Sequence, residues 1–363
     1  MKLLSHATLF VFAAIPSLEA ADIRGLEKGT PEMKSATTLA FGPEDILFVG
    51  DAKAATLFAI ATGDTEGDAS KASINIDNLP KAIGEVLHTA KVGINDIAVN
   101  PRTGSAFVAV SADDKAALVK IDGDGKITPL SLTGVSYSKV TLTDAPEDKI
   151  TGEGRRVRNN RMDSITDIAF FENKVLVSGL SNAHSPSTVR ELNFPFTESD
   201  KGTGIEIYHA AHGKSEDTVA MRTFVPIMID GEPNLLGAYV CTPLVRIPVK
   251  DLEAAGEKVK ATTVAELGNM NKPLDMIAYE KDGASYLLLS NSARGVMKIS
   301  TAGLKENKGL TEPVRDGGKA GQEYSPVDSM AGVIQMDKLN DTSALVLVQP
   351  DNSPQNLKTV PLP

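Results

Sequence analysis

The chain has 363 residues, a formal net charge of −10, aromatic residues at 5%, a single cysteine and no tryptophan. A surplus of acid repels a phosphate backbone and argues against nucleic acid as a partner, although local basic patches can still hold small anions. With Cys241 alone, neither an internal disulfide nor a Cys-x-x-Cys-His haem attachment can form.

The N-terminus reads as an export signal. Lys2 supplies the positive start, Leu9 to Ile15 the apolar stretch, Pro16 the break and Leu18-Glu19-Ala20 a small residue for cleavage. The stretch is too short to span a bilayer, although an uncleaved anchor is the alternative to a cleaved signal. No later segment is apolar enough to cross a membrane, so no transmembrane segment is expected in the mature chain. The expectation is a signal peptide over 1–20 and one domain over 21–363, periplasmic or secreted.

Six strand clusters follow. The first holds 38–41, 46–49 and 56–60; the second 94–99, 106–110 and 118–121; the third 165–170, 175–178 and 189–192. The fourth holds 224–229, 236–240 and 244–247; the fifth 274–279, 286–289 and 296–299; the sixth 329–335, 344–348 and 357–360. These runs are short, β-branched and bounded by Gly, Asp, Asn and Pro. Many are apolar on both faces, as strands are when sheets pack against sheets on either side. Residues 127–132 and 262–267 are candidate outer strands, and Asp22 to Leu26 is expected to add one to the last cluster, closing a ring and protecting its edges. Two linkers exceed turn length: 133–162, with Arg155, Arg156, Arg158 and Arg161, and 197–222, with His209 and His212. A short seventh cluster within 122–160 stays open.

A phrase recurs across these clusters. Asp96-Ile97-Ala98-Val99, Asp167-Ile168-Ala169-Phe170 and Asp275-Met276-Ile277-Ala278 each open a strand that is followed by a turn and a second apolar strand. Repeated strand pairs of this kind specify an all-β fold, a β-propeller of six blades (seven being the alternative) with one shared core. With its following Gly turn and the Leu118-Val119-Lys120-Ile121 strand, the motif over 96–121 resembles the six-bladed propellers of the NHL and SMP-30/gluconolactonase type. The stretches 181–196 and 209–245 also resemble a family of exported bacterial propellers. The lactonase resemblance implies a divalent cation, commonly calcium, held by acidic and amide side chains at the channel mouth. Thr37 and Thr38 stand where those relatives carry a glutamate at the start of the first inner strand.

Asp96, Asp167, Asp275 and Asp328 precede the apolar part of four inner strands and form the candidate cation site. Converging carboxylates need a cation, a shared proton or arginine partners to stay in one channel; an aspartate before a strand also caps its turn. Arg155, Arg158, His184, His212 and Arg222 are the candidate ligand-binding residues of the loop-rich face. Three histidines on one face can bind zinc or copper or act as acid and base, and Cys241 can be a soft-metal ligand, a nucleophile or buried packing. No nucleophile elbow, phosphate loop or dinucleotide fingerprint is present, so no nicotinamide or flavin is expected. Without tryptophan, sugar clefts and pyrroloquinoline-quinone propellers also lose weight. The leading expectation is a binding scaffold that takes a small molecule or a protein on its loop-rich face and channel mouth. A calcium-dependent lactonase or esterase-type hydrolase is the alternative, and a partner-binding subunit of an exported redox complex a third.

Overall fold

A computed structural model describes residues 25–363 except 155, 156, 200, 242, 255–257, 316, 317 and 352. The signal segment and Arg155 therefore lie outside the described residues. The chain is a six-bladed β-propeller.

Each blade is built on an antiparallel sheet whose first strand lines the axis; in blade 3, Lys258–Lys260 adds one parallel pairing to Thr203–His209. The inner strands, in chain order, are Thr38–Phe41, Val92–Val99, Asp167–Phe171, Met221–Ile229, Pro273–Lys281 and Val333–Lys338, and define blades 1 to 6. The second strand of each blade is largely buried, and in blade 1 the third is too, as Ile46–Asp51 and Thr56–Ala61 show. That double-sided burial is why they are apolar runs rather than alternating ones.

Six apolar clusters fill the six wedges between blades, and they fix the order around the axis. Leu39, Leu47, Val49, Phe58 and Ile60 of blade 1 pack on Phe107, Ala109 and Leu118 of blade 2. Val108, Val110, Val119 and Ile121 of blade 2 pack on Leu345, Leu347 and Leu357 of blade 6. Ile46, Phe48 and Leu57 of blade 1 pack on Ile168, Val175 and Val177 of blade 3. The remaining wedges join blade 3 to 4, 4 to 5 and 5 to 6. The spatial order is thus 1-2-6-5-4-3, so blades 1 and 2 are exchanged relative to a ring built in chain order.

The chain path explains this exchange. After three strands of blade 1 it runs to the far side and lays Asn75–Ile76 against Asn356–Pro361 as the outer strand of blade 6. A helix over Leu79–Leu87, capped by the Asn78 side chain, then plugs Leu79 and Ile83 into the wedge between blades 2 and 6. Blade 2 follows, with Ile127–Pro129 as its outer strand, and Val135–Thr141 returns to finish blade 1. Those residues complete blade 1 rather than hide a seventh blade. Of the expected closing segment Asp22 to Leu26, residues 22–24 lie outside the described residues; Glu27–Gly29, just after it, pairs with Val135–Thr141 at the outer edge of blade 1. Closure of the last blade falls to Asn75–Ile76, because it is the chain's second, not first, free segment that reaches blade 6. Residues 328–330 form a single helical turn, and the sixth inner strand starts at Val333.

Ile74 is fully buried beside this closure, and its amide donates to Thr359 Oγ1 at 2.8 Å. Ile74→Ala is expected to cost about 2–5 kcal/mol of unfolding free energy by denaturant titration, against no more than about 0.5 kcal/mol for the exposed Lys115→Ala.

Candidate functional site

One position recurs in all six inner strands. In blades 2, 4, 5 and 6 it follows a β-bulge, which places Asp96, Thr223, Asp275 and Gln335 in register with one another. Thr38 and Asp167 open the inner strands of blades 1 and 3 at the same level. A bulge bends its strand and re-aims the next side chain. Around the axis, in spatial order, the ring reads Thr38, Asp96, Gln335, Asp275, Thr223, Asp167, so carboxylates and neutral side chains alternate. Gly50 is paired with Thr38, and a Cβ there would collide with Thr38 Oγ1, so the second strand of blade 1 needs glycine.

Each ring aspartate grips two blades. Asp96 accepts from its own strand at Ile97 N (2.9 Å) and from Leu39 N of blade 1 (2.7 Å). Asp167 accepts from Ile168 N (2.8 Å) and from Phe224 N of blade 4 (2.8 Å). Asp275 accepts from Met276 N and Met336 N, both at 2.7 Å, joining blade 5 to 6. Asp337, two residues beyond the ring position, does the same between blades 6 and 2 through Lys338 N and Val99 N, both at 2.7 Å. Thr38 Oγ1 and Gln335 Oε1, by contrast, are buried oxygens with no hydrogen-bond partner.

Burial pushes all four carboxyls up, against the pull of the amides they accept from. Asp167 and Asp337 rise to about 6. Asp96 and Asp275 also rise, first through burial and then through neighbouring charges: Asp167 and Asp337 act on Asp96, and Asp96 and Asp167 on Asp275. The hub therefore holds carboxyls whose ionisation burial and mutual repulsion oppose and a nearby cation would favour.

The ring divides the channel into two chambers. Asp96, Asp167 and Asp275 line both. One chamber, of about 430 Å³, is walled by Leu39, Phe41, Val99, Phe170, Phe224 and Met276 among others, with the Lys338–Asp341 pair (2.8 Å) at its rim. The other, of about 380 Å³, is polar and carries Asn95, Thr166, Arg222, Lys272 and Gln335.

The structure brings three of the four aspartates expected as cation ligands to one hub. Asp328 is exposed on its helical turn, and Asp337, half-buried like the other three, supplies the fourth hub carboxyl. Among the described residues, the ligand atoms of His209, His212 and Cys241 lie within 4.8 Å of one another. Arg222 stands at the polar mouth, tied to Asp163 at 2.6 Å. Arg158 lines a side pocket with Asn160 and Asn182. His184 is exposed on the loop before Ser185, and His212 bonds Glu216. Neither histidine lines a channel chamber. Asp337 and Gln335 escape sequence reading because the repeated phrase predicts one Asp per blade; blade 6 has Gln at that place and Asp two residues later.

No protein-family model matches the chain, and no curated protein matches it. Among solved structures, a chain of the Mitotic Checkpoint Complex overlaps at 8% identity and a TM-score of 0.38, covering 99% of each chain. The PQQ-bound aldose sugar dehydrogenase of Streptomyces coelicolor overlaps at 10% identity and TM-score 0.33, over 91% of this chain and 95% of that one. A putative oxidoreductase (glucose dehydrogenase) from Thermus thermophilus overlaps at 10% identity and TM-score 0.36, over 92% of this chain and 99% of that one. Overlaps this loose bear on neither activity nor cofactor.

Raised carboxyl pKa values make the folded state the tighter proton binder. The stabilisation they bring is complete below about pH 4 and is lost as pH rises through about 6. Asp167→Asn removes one such carboxyl. Denaturant midpoints across pH are expected to show wild type gaining on the variant between pH 7 and pH 4, by on the order of 2–3 kcal/mol; the relevant folded-state value is about 6, against 3.8 for an ordinary aspartate.

Proposed function

We propose that the protein is a binding propeller whose channel takes a small amphiphilic organic cation, with its ammonium at the aspartate ring and its hydrocarbon part in the apolar chamber. The observation that carries this reading is the position of Asp96, Asp167 and Asp275, which line both chambers and so stand between an apolar pocket and a polar mouth. An ammonium there satisfies crowded carboxylates and adds donors for Thr38 Oγ1 and Gln335 Oε1, which have no partner. A cavity of about 430 Å³ with mostly apolar walls and a few convergent polar groups has the size and character of a small-molecule site. Arg222 and Lys272 repel a cation from the polar mouth, which favours access from the apolar side.

The export-like N-terminus supports placing this binding in the periplasm or outside the cell. Among the described residues, no helix is long and apolar enough to cross a membrane.

Calorimetry with 4-phenylbutylammonium and its neutral counterpart 4-phenylbutan-1-ol tests the reading. The amine is expected to bind at least about tenfold tighter at pH 7.5. Asp275→Asn is expected to remove that preference. Because protons compete for the same carboxyls, affinity is expected to fall as pH drops below about 6. Equal binding of amine and alcohol, or amine binding unchanged in Asp275→Asn, would refute the proposal.

A further inference from the structure

Outside the channel, two blades bring a second set of polar side chains together. His209 ends the outer strand Thr203–His209 of blade 3, and His212 lies in the turn after it, where His212 N donates to His209 O at 3.0 Å. Cys241 follows the second strand of blade 4, in the turn whose amide donates to Asn271 O at 3.0 Å. The ligand atoms of His209, His212 and Cys241 all lie within 4.8 Å of one another.

The two imidazoles are held by one carboxylate. His209 Nδ1 lies 2.8 Å from Glu216 Oε2, and His212 Nδ1 lies 3.0 Å from Glu216 Oε1; the ring centres are 3.7 Å apart. A carboxylate oxygen can only accept, so each ring that bonds Glu216 through Nδ1 puts its proton there and leaves Nε2 as a bare lone pair when neutral. His209 Nε2 is buried and has no hydrogen-bond partner, in a residue only 2% exposed. Glu266 lies beside them. Its Oε1 accepts from Ala211 N at 3.1 Å, while Oε2 is buried without a partner in a residue 1% exposed. A buried lone pair with nothing to accept is costly to maintain in a well-packed protein. Two such atoms next to a thiol and a second imidazole point to a missing partner of positive charge.

We infer that this is a transition-metal site, of zinc type, with His209 Nε2, His212 Nε2 and Cys241 Sγ as ligands, the fourth position open, Glu216 positioning both imidazoles and Glu266 supplying a neighbouring carboxylate. Two nitrogens and a thiolate with one open position suit tetrahedral zinc. Ligand atoms in such a site stand about 3.3–3.6 Å apart, given metal–ligand bonds of about 2.0–2.3 Å. The present spacing, up to 4.8 Å, must shorten by about 1.2–1.5 Å on binding. A carboxylate accepting from the far nitrogen of each histidine is the usual outer support of metal-bound imidazole; here one Glu216 serves both rings. Binding releases the Cys241 thiol proton to solvent, so affinity rises with pH. Because its ligands come from blades 3 and 4, the ion ties the two blades together at their rims.

The test uses the whole protein, reduced, stripped with chelator and dialysed against excess ligand-free buffer. Zinc is expected to bind at one ion per chain and to raise the melting temperature. Cobalt(II) in its place is expected to give the near-ultraviolet thiolate-to-cobalt band and the visible spectrum of a tetrahedral ion. Cys241→Ser should abolish the band. His212→Ala, on an exposed ring, should weaken zinc binding without unfolding the protein, and serves if a His209 variant does not fold. Glu216→Gln should keep the cobalt spectrum yet weaken zinc by about 10–100-fold. His184→Ala should change nothing. No zinc retained after dialysis, cobalt bound without a thiolate band, or zinc affinity unchanged in both Cys241→Ser and His212→Ala would overturn the assignment.

Discussion

Each hub aspartate is gripped from two sides, by the amide of the next residue in its own strand and by an amide on the inner strand of a neighbouring blade. The rest of the molecule follows from that contact. A carboxylate can bridge two strands only if both present free N–H groups to the axis, which inner edge strands do. Three such bridges pair blade 2 with 1, blade 3 with 4 and blade 5 with 6, and Asp337 adds a fourth between blades 6 and 2. The bridges bring the same side chains into one half-buried ring, where desolvation and mutual repulsion raise their pKa values. Structural tie and electrostatic demand are thus the same groups. The amides stabilise the charged carboxylates, but not enough to offset burial, and the remaining deficit is what a proton or a cation can fill.

Much of this was legible in the chain. Apolar runs such as Phe107 to Val110 and Leu287 to Leu289 can be buried on both faces only between sheets, so the propeller follows from periodicity. The Asp repeated in three inner strands placed Asp96, Asp167 and Asp275 at the axis. What the repeat could not show was the order of the blades. Asn75–Ile76 is a two-residue strand with no pattern of its own, and its partner Leu357–Lys358 lies near the opposite end of the chain. Val135–Thr141 is mostly polar because it lies at the outer side of blade 1, so it carries little apolar signal. Non-local pairing of short or polar strands leaves no local trace.

The same limit applies to the sites. Asp328 has the sequence position expected of a hub acid, yet the strand begins five residues later, at Val333, and the hub receives Gln335 and Asp337 instead. His209, His212 and Cys241 could each be singled out, but Glu216 and Glu266 could not. Their roles depend on blade 3 meeting blade 4, and no spacing along the chain encodes that. Two polar centres result: one on the axis, built from a repeated residue, and one at a rim, built from loops that repeat nowhere else. The first is tied to all six blades. The second depends on two blades alone, and a bound ion there would stiffen the very contact that holds it.

The most direct measurement is a carbon-13 NMR titration of the aspartate side-chain carboxyls, with Asp167→Asn and Asp275→Asn used to assign the hub resonances. Asp167 is expected to titrate near 6, and Asp96 and Asp275 above the ordinary aspartate range; all should move down when 4-phenylbutylammonium is added. Hub carboxyls that titrate near the ordinary value of about 3.9, unmoved by the amine, would contradict the account.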